Sequence, residues 1–247
     1  MQASQHRRLR NYAFSLVEVS IILVILGLIA GGVLVGKALI RGGELRNFTS
    51  QSEGFVTSVF AFHDKYLATP GDMNNATQFW GFQGNVTAPG CVSSSSITVI
   101  TTTGTCDGNG DNFFLTPAAT AGATGERYQF WRQLALAGLL EGSYNGVAGS
   151  NGPYHHMLGK NSPATRINKG GWTVNTYGNT GSPIWFDGNY NVALIIGAAT
   201  TNGGPNGVLL RPEEAWLIDT KMDDGKPGQG SVVAGNWSTC TTAANSA

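Results

Sequence analysis

The stretch Tyr12–Ile40, YAFSLVEVSIILVILGLIAGGVLVGKALI, decides the fold. No residue between Glu18 and Lys37 is charged, and a helix of about 18 residues rises about 27 Å, close to the ~30 Å hydrocarbon thickness of a bilayer. The segment reads as a membrane helix. Arg7, Arg8 and Arg10 precede it and are expected to keep the N-terminus cytoplasmic; Lys37, Arg41 and Arg46 follow it, offset by Glu44 alone. Glu18 is the residue that needs a reason. A carboxylate at the centre of a membrane helix costs about 2.5–3.5 kcal/mol, and less near an end, where Glu18 stands. A positive partner must offset that cost.

Past Lys37 the apolar pattern thins into a stripe. Leu45, Phe48, Ser52, Phe55, Val59, Phe62 and Tyr66 recur at alternating intervals of three and four, which is one face of a helix. Val56 and Phe60 widen the stripe, and a wide stripe predicts packing against a sheet rather than against one partner helix. From Phe14 to Tyr66 the helix is expected to run roughly 80 Å. Pro70 and Gly71 end it.

A secretory signal peptide also has a basic start and an apolar core, and Ala30, Gly31 and Gly32 offer small residues for its cleavage. The run is long for that role, and Glu18 lies where a signal peptide is apolar. The phosphate-loop spacing from Gly31 to Gly36 and Lys37 fails as well. Ala38 stands where a hydroxyl is needed for magnesium, and no strand precedes the glycines. Gly27 with Gly31, and Gly32 with Gly36, instead form small-xxx-small pairs that let helices approach closely.

The residues AFSLVEVSIILVILGLIAGG, preceded by a short basic leader, resemble the N-terminus of type IV pilins and type II secretion pseudopilins. The resemblance implies cleavage between Ala13 and Phe14 by a prepilin peptidase, methylation of the new Phe14 amine, and retention of the apolar helix as an anchor. Ala13 stands where that family usually has Gly. The resemblance also implies a partner for Glu18, namely the N-terminal amine of a neighbouring subunit within a bundle of helices. The wider pattern, from HDKYLATPGDMNNATQFWG to IDTKMDDGKPGQGSV, is similar to a recurrent group of prepilin-type proteins and covers nearly the whole chain.

The expected fold class is therefore α+β and pilin-like, a long N-terminal helix packed on a small antiparallel sheet domain with long loops. The expected divisions are a leader at 1–13, a transmembrane and polymerisation helix at 14–42, and a globular domain at 43–247 that includes the amphipathic half-helix 43–66. Within that domain, Glu126 to Leu140 reads as an amphipathic helix capped by Gly142, and RPEEAWLIDTK as a shorter one with Pro212 in its first turn. Residues 184–186, 192–197, 208–210 and 231–235 read as strands.

Composition narrows the function. The chain of 247 residues carries no net charge, only 12% of it is charged and 35 residues are Gly; such a surface has no basic patch for a phosphate backbone, so no nucleic-acid partner is expected. Of three cysteines, Cys91 and Cys106 flank a Ser/Thr-rich segment, and bridging so short a loop contributes ~3 kcal/mol in the chain-entropy model. Pairings with Cys240 close much longer loops. The alternating Asp107, Asn109 and Asp111 have the spacing that opens a calcium loop, but they lack its later Gly and Glu, so an Asx-rich turn is the better reading and calcium the alternative. Asp219, Asp223 and Asp224 surround a glycine turn and form a second candidate calcium site. Calcium is the one cofactor these residues invite.

No catalytic group assembles on paper. His155 and His156 are adjacent, His63 lies on the long helix, and no nucleophile elbow occurs. Phe79, Trp80, Phe82, Trp172, Trp185 and Trp237 offer a sugar-binding face or, more simply, core. The expected function is a structural subunit of a type IV pilus or type II secretion pseudopilus, held in the inner membrane with its domain in the periplasm before assembly. Its expected partners are copies of itself or other pilins, the prepilin peptidase, the assembly platform and the bilayer. The alternative is a minor pilin or tip adhesin whose domain binds a surface ligand.

Overall fold

Helix α1 (Leu16–Tyr66) is 51 residues long. The computed structural model describes residues 15–84, 103–114, 125–167, 169–177, 190–201 and 203–235. Ala13, Phe14, Cys91, the strand read at 184–186, Trp185, Trp237 and Cys240 lie outside them.

Ser15 and Glu18 start α1 with a capping box. Glu18 Oε2 accepts the Ser15 backbone N–H at 2.9 Å, and Ser15 Oγ faces the Val17 N–H at 3.4 Å. The far end is sealed less comfortably. Leu67 donates its N–H to His63 O at 2.7 Å while adopting φ +54°, a left-handed geometry that glycine or asparagine more often takes. The chain divides into two compact units at Gly43 and Glu44.

In the first unit every residue described up to Val35 is exposed, and a Cβ built on Gly27, Gly31, Gly32 or Gly36 meets nothing within 4 Å. This segment is long and apolar enough to cross a membrane. Its apolar surface has no cover among the described residues.

The second unit is built around the other half of α1. Phe48, Phe55 and Phe62 are buried, and Leu45, Val59 and Tyr66 pack beside them, as the spacing of three and four predicts. Val56 and Phe60 do not widen that face. They are 42% and 66% exposed, and the face is broadened instead by polar side chains that reach loops. Gln51 accepts the Trp172 indole N–H at 2.9 Å and donates to Ala164 O at 3.1 Å, while Ser58 Oγ lies 2.8 Å from Leu139 O.

After a five-residue helix α2 (Ala76–Trp80) comes α3 (Glu126–Leu136). The latter ends a turn before the reach to Leu140 expected from sequence. Gly138, at φ +74°, turns the chain, with its N–H on Ala135 O and that of Leu139 on Leu134 O, both at 3.0 Å; this Schellman arrangement does the work assigned to Gly142. Nor does α3 show water a polar face, because every residue from Glu126 to Leu134 is buried.

The sheet is antiparallel in the order β1 (Gly170–Tyr177), β2 (Tyr190–Ala199), β3 (Pro205–Gly207). Trp172 pairs with Ile196 and Val174 with Leu194, and the register shifts between Asn175 and Tyr177. Strand β2 contains the expected 192–197. Strand β1 was not expected, residues 208–210 lie just past β3 rather than in it, and 231–235 form no strand. Helix α4 (Pro212–Met222) begins at Pro212 as read, with Glu214 accepting the Arg211 N–H at 2.9 Å.

Candidate functional site

Among the described residues, three carboxylates cluster where α4 ends. Met222 closes the helix, Asp223 donates its N–H to Asp219 O at 2.6 Å, and the chain reverses so that residues 231 and 232 return to Asp223. Asp223 Oδ2 accepts the N–H groups of Ser231 and Val232, and Asp224 Oδ1 accepts that of Lys226 at 2.8 Å. A side chain at Gly230, which has φ +81°, would collide with the Asp223 carboxylate. The turn therefore needs glycine where it closes on the acid.

One oxygen from each of Asp219, Asp223 and Asp224 lies within 4.8 Å of the others. Two oxygens on opposite sides of a calcium ion stand about 4.6–5.2 Å apart, so the spacing suits that ion. Asp219 is the decisive member. It is 5% exposed, and its Oδ1 is buried without a hydrogen-bond partner. Burial raises its pKa, the Gly225 N–H opposes that, and the neighbouring Asp224 and Asp223 charges raise it further. Asp223, held by the N–H groups of Val232 and Ser231, is lowered instead. A divalent cation supplies both what Asp219 Oδ1 lacks and what the like charges need. Asp219, Asp223 and Asp224 are the residues that would hold it.

The first calcium candidate is arranged differently. Asp107 accepts Thr77 N–H at 2.7 Å and Thr77 Oγ1 at 3.0 Å, which ties it to the first turn of α2. Asn109 Oδ1 accepts the Asp111 N–H at 3.1 Å and Asp111 Oδ1 accepts the Phe113 N–H at 2.7 Å. These are the hydrogen bonds of Asx turns. The acid at the loop's centre is one the sequence reading passed over. Asp72, 2% exposed, accepts the N–H groups of Gly110 at 2.8 Å and Asn112 at 2.7 Å.

Reading by motif also missed the polar residues of α3, which hold the loops in place. Arg132 donates to Gly104 O at 2.6 Å, Tyr144 O at 2.8 Å and Thr103 O at 2.9 Å. Gln133 accepts the Gly71 N–H at 2.6 Å, and Gln129 joins Thr105 Oγ1 to Gly146 O. Loops rich in glycine leave backbone groups without ladder partners, and buried side chains must serve them. Between these contacts Cys106, fully buried, carries a disulfide. The partner expected for it, Cys91, lies outside the described residues.

Of the six aromatics named from sequence, Trp172 is core, Trp80 packs against it, and Phe79 and Phe82 are 55% and 50% exposed. His63 is exposed on α1, whereas His156 is buried. Glu18 and Gly27, Gly31, Gly32 and Gly36 stand on the part of α1 that has no cover among the described residues. No family model matches the chain, and neither a curated protein nor a solved structure matches it significantly.

Proposed function

We propose that the chain is a structural subunit of a pilin-like filament, a type IV pilus or type II secretion pseudopilus, polymerised through the first half of α1. The observation that carries this reading is an apolar helix with no cover among the described residues, headed by a carboxylate and continuous with a second half that is core. A plain anchor explains the apolar residues and the Glu18 cap on Ser15, but not why that cap carries a charge. In a filament, the Phe14 amine released by cleavage after Ala13 and then methylated supplies the opposite charge. The open faces of Gly27, Gly31, Gly32 and Gly36 then receive neighbouring helices. Before assembly the helix lies in the inner membrane, with the second unit on the periplasmic side.

Mass spectrometry of the mature chain tests the proposal. The expected product begins at N-methylated Phe14. A product beginning near Val33 means a signal peptidase has removed the helix, and the filament reading fails.

A further inference from the structure

We propose that His156, set between Tyr128 and Thr173 beside Arg127, is an acid-release latch that holds the loop of residues 144–162 on strand β1. The loop is tied to itself by Asn161, whose Nδ2 donates to Val147 O at 2.9 Å and His155 O at 3.1 Å, and whose Oδ1 accepts the Met157 N–H at 2.6 Å. It is also anchored to α3, at Tyr144 O by Arg132, at Gly146 O by Gln129 and at Pro153 O by the Tyr128 hydroxyl, so release at His156 frees its β1 side.

His156 joins the loop to three other parts of the fold. Its Nδ1 is 2.8 Å from Tyr154 O, its Nε2 is 2.7 Å from Thr173 Oγ1, its backbone N–H reaches Gly203 O at 3.2 Å, and its ring lies 4.9 Å from that of Tyr128. A carbonyl only accepts, so Nδ1 carries the proton and Nε2 accepts from the Thr173 hydroxyl. The arrangement is complete only for neutral imidazole. Protonating Nε2 turns the Thr173 proton away, and the nearest acceptor left to it is Val174 O, at 3.5 Å.

The surroundings amplify the effect. The titratable and charged groups facing His156 are Arg127 and Tyr128 from α3 and Tyr154 and His155 from the loop; β1 and the turn before β3 contribute Thr173, Gly203 and Gly204. Arg127 is itself 8% exposed, its Nη2 bonds Asn175 Oδ1 at 2.9 Å, and its Nε has no partner. No carboxylate among the described residues offsets either group. A second cation there is buried next to the first. Burial and, to a lesser degree, Arg127 and His155 accordingly lower the His156 pKa to about 4.

The sign follows from linkage. The unfolded chain takes up this proton near pH 6.5 and the folded chain near 4, so stability is lost as pH falls from about 6.5 toward 4. Between pH 7 and pH 5 the folded-to-unfolded ratio drops about 20-fold through this group alone. The full chain in detergent micelles is to be followed by NMR titration of the His156 ring and by hydrogen exchange of residues 144–162, corrected for intrinsic rates. The latch predicts titration well below pH 6.5 and loss of loop protection in step with it, while His156→Gln loses about 20-fold less stability over the same range. Titration near 6.5, or protection of the loop that does not follow the ring, overturns it. So does equal acid sensitivity in a folded His156→Gln variant; if that variant does not fold, the wild-type titration and exchange decide.

Discussion

The ring of Phe48 lies flat on the indole of Trp172, centroids 5.1 Å apart and planes 9° apart. Two turns on, Phe55 meets the same indole edge-on at 5.3 Å and 90°, and meets Trp131 at 5.1 Å. Three aromatic contacts thus seat the second half of α1 against β1 and α3 at once. Such pairs are worth about 0.5–1.5 kcal/mol each beyond the area they bury.

Phe55→Ala should lower stability by about 3–5 kcal/mol, because it leaves a cavity between two tryptophans. Phe60→Ala, on the exposed face of the same helix, should cost under about 1 kcal/mol. Urea unfolding of a chain beginning at Gly43 measures both, and equal losses contradict the assigned faces. A chain beginning after Pro70 lacks Phe48, Phe55 and Phe62 and should be insoluble or lack cooperative unfolding.

Glu18 has two roles to separate, because it caps its own helix at Ser15 and is proposed to pair with a neighbour's Phe14 amine. Glu18→Gln keeps the capping geometry and removes the charge; Glu18→Ala removes both. Both variants should insert in the membrane normally and fail to assemble. Normal filament yield from the Gln variant would show that charge pairing is unnecessary.

Calcium should stabilise the second unit by about 2.7 kcal/mol at a hundred times its dissociation constant, a rise in Tm of roughly 5–10 °C. Without metal the charged Asp219 opposes folding at pH 7. Its raised pKa means that stability from this group is gained, not lost, as pH falls through the folded value. Asp219→Asn should therefore be neutral or stabilising in chelator and should abolish the calcium-dependent rise. Identical melting in calcium and chelator for the wild type retires the site.

Leu67→Gly should stabilise the chain by up to about 1 kcal/mol, since it relieves a left-handed backbone at a side chain that is 83% exposed. Thermal unfolding gives the sign directly. A loss of stability would mean the Leu67 side chain makes contacts that outweigh its strain.

What could be read along the chain was whatever depends on neighbours three or four residues away. The uncharged run after Glu18, the Phe48–Phe55–Phe62 face and the start of α4 at Pro212 are all of that kind, because helix periodicity and end signals are local. The aspartates after α4 were recognisable by type and spacing. That Asp219 alone of the three is buried, with an unpartnered oxygen, was decided by tertiary packing.

Pairing across the sheet was not local. Strand β1 was hidden by its own composition, GGWTVNTY, and became a strand because β2 offers Ile196 and Leu194 opposite Trp172 and Val174. Residues 208–210 have the better strand propensity, yet the short β3 lies just before them. There Gly197 lets the Pro205 backbone come so close that any Cβ would sit 2.4 Å from its carbonyl oxygen. Residues 231–235 gained no sheet edge and stayed irregular. The same holds for α3, whose arginine and glutamines looked like a solvent face until the loops at 103–114 and 144–162 closed over them. Periodicity along a chain ranks which side is more apolar, but burial is decided by what arrives from distant sequence, and here that was loop backbone in need of hydrogen bonds.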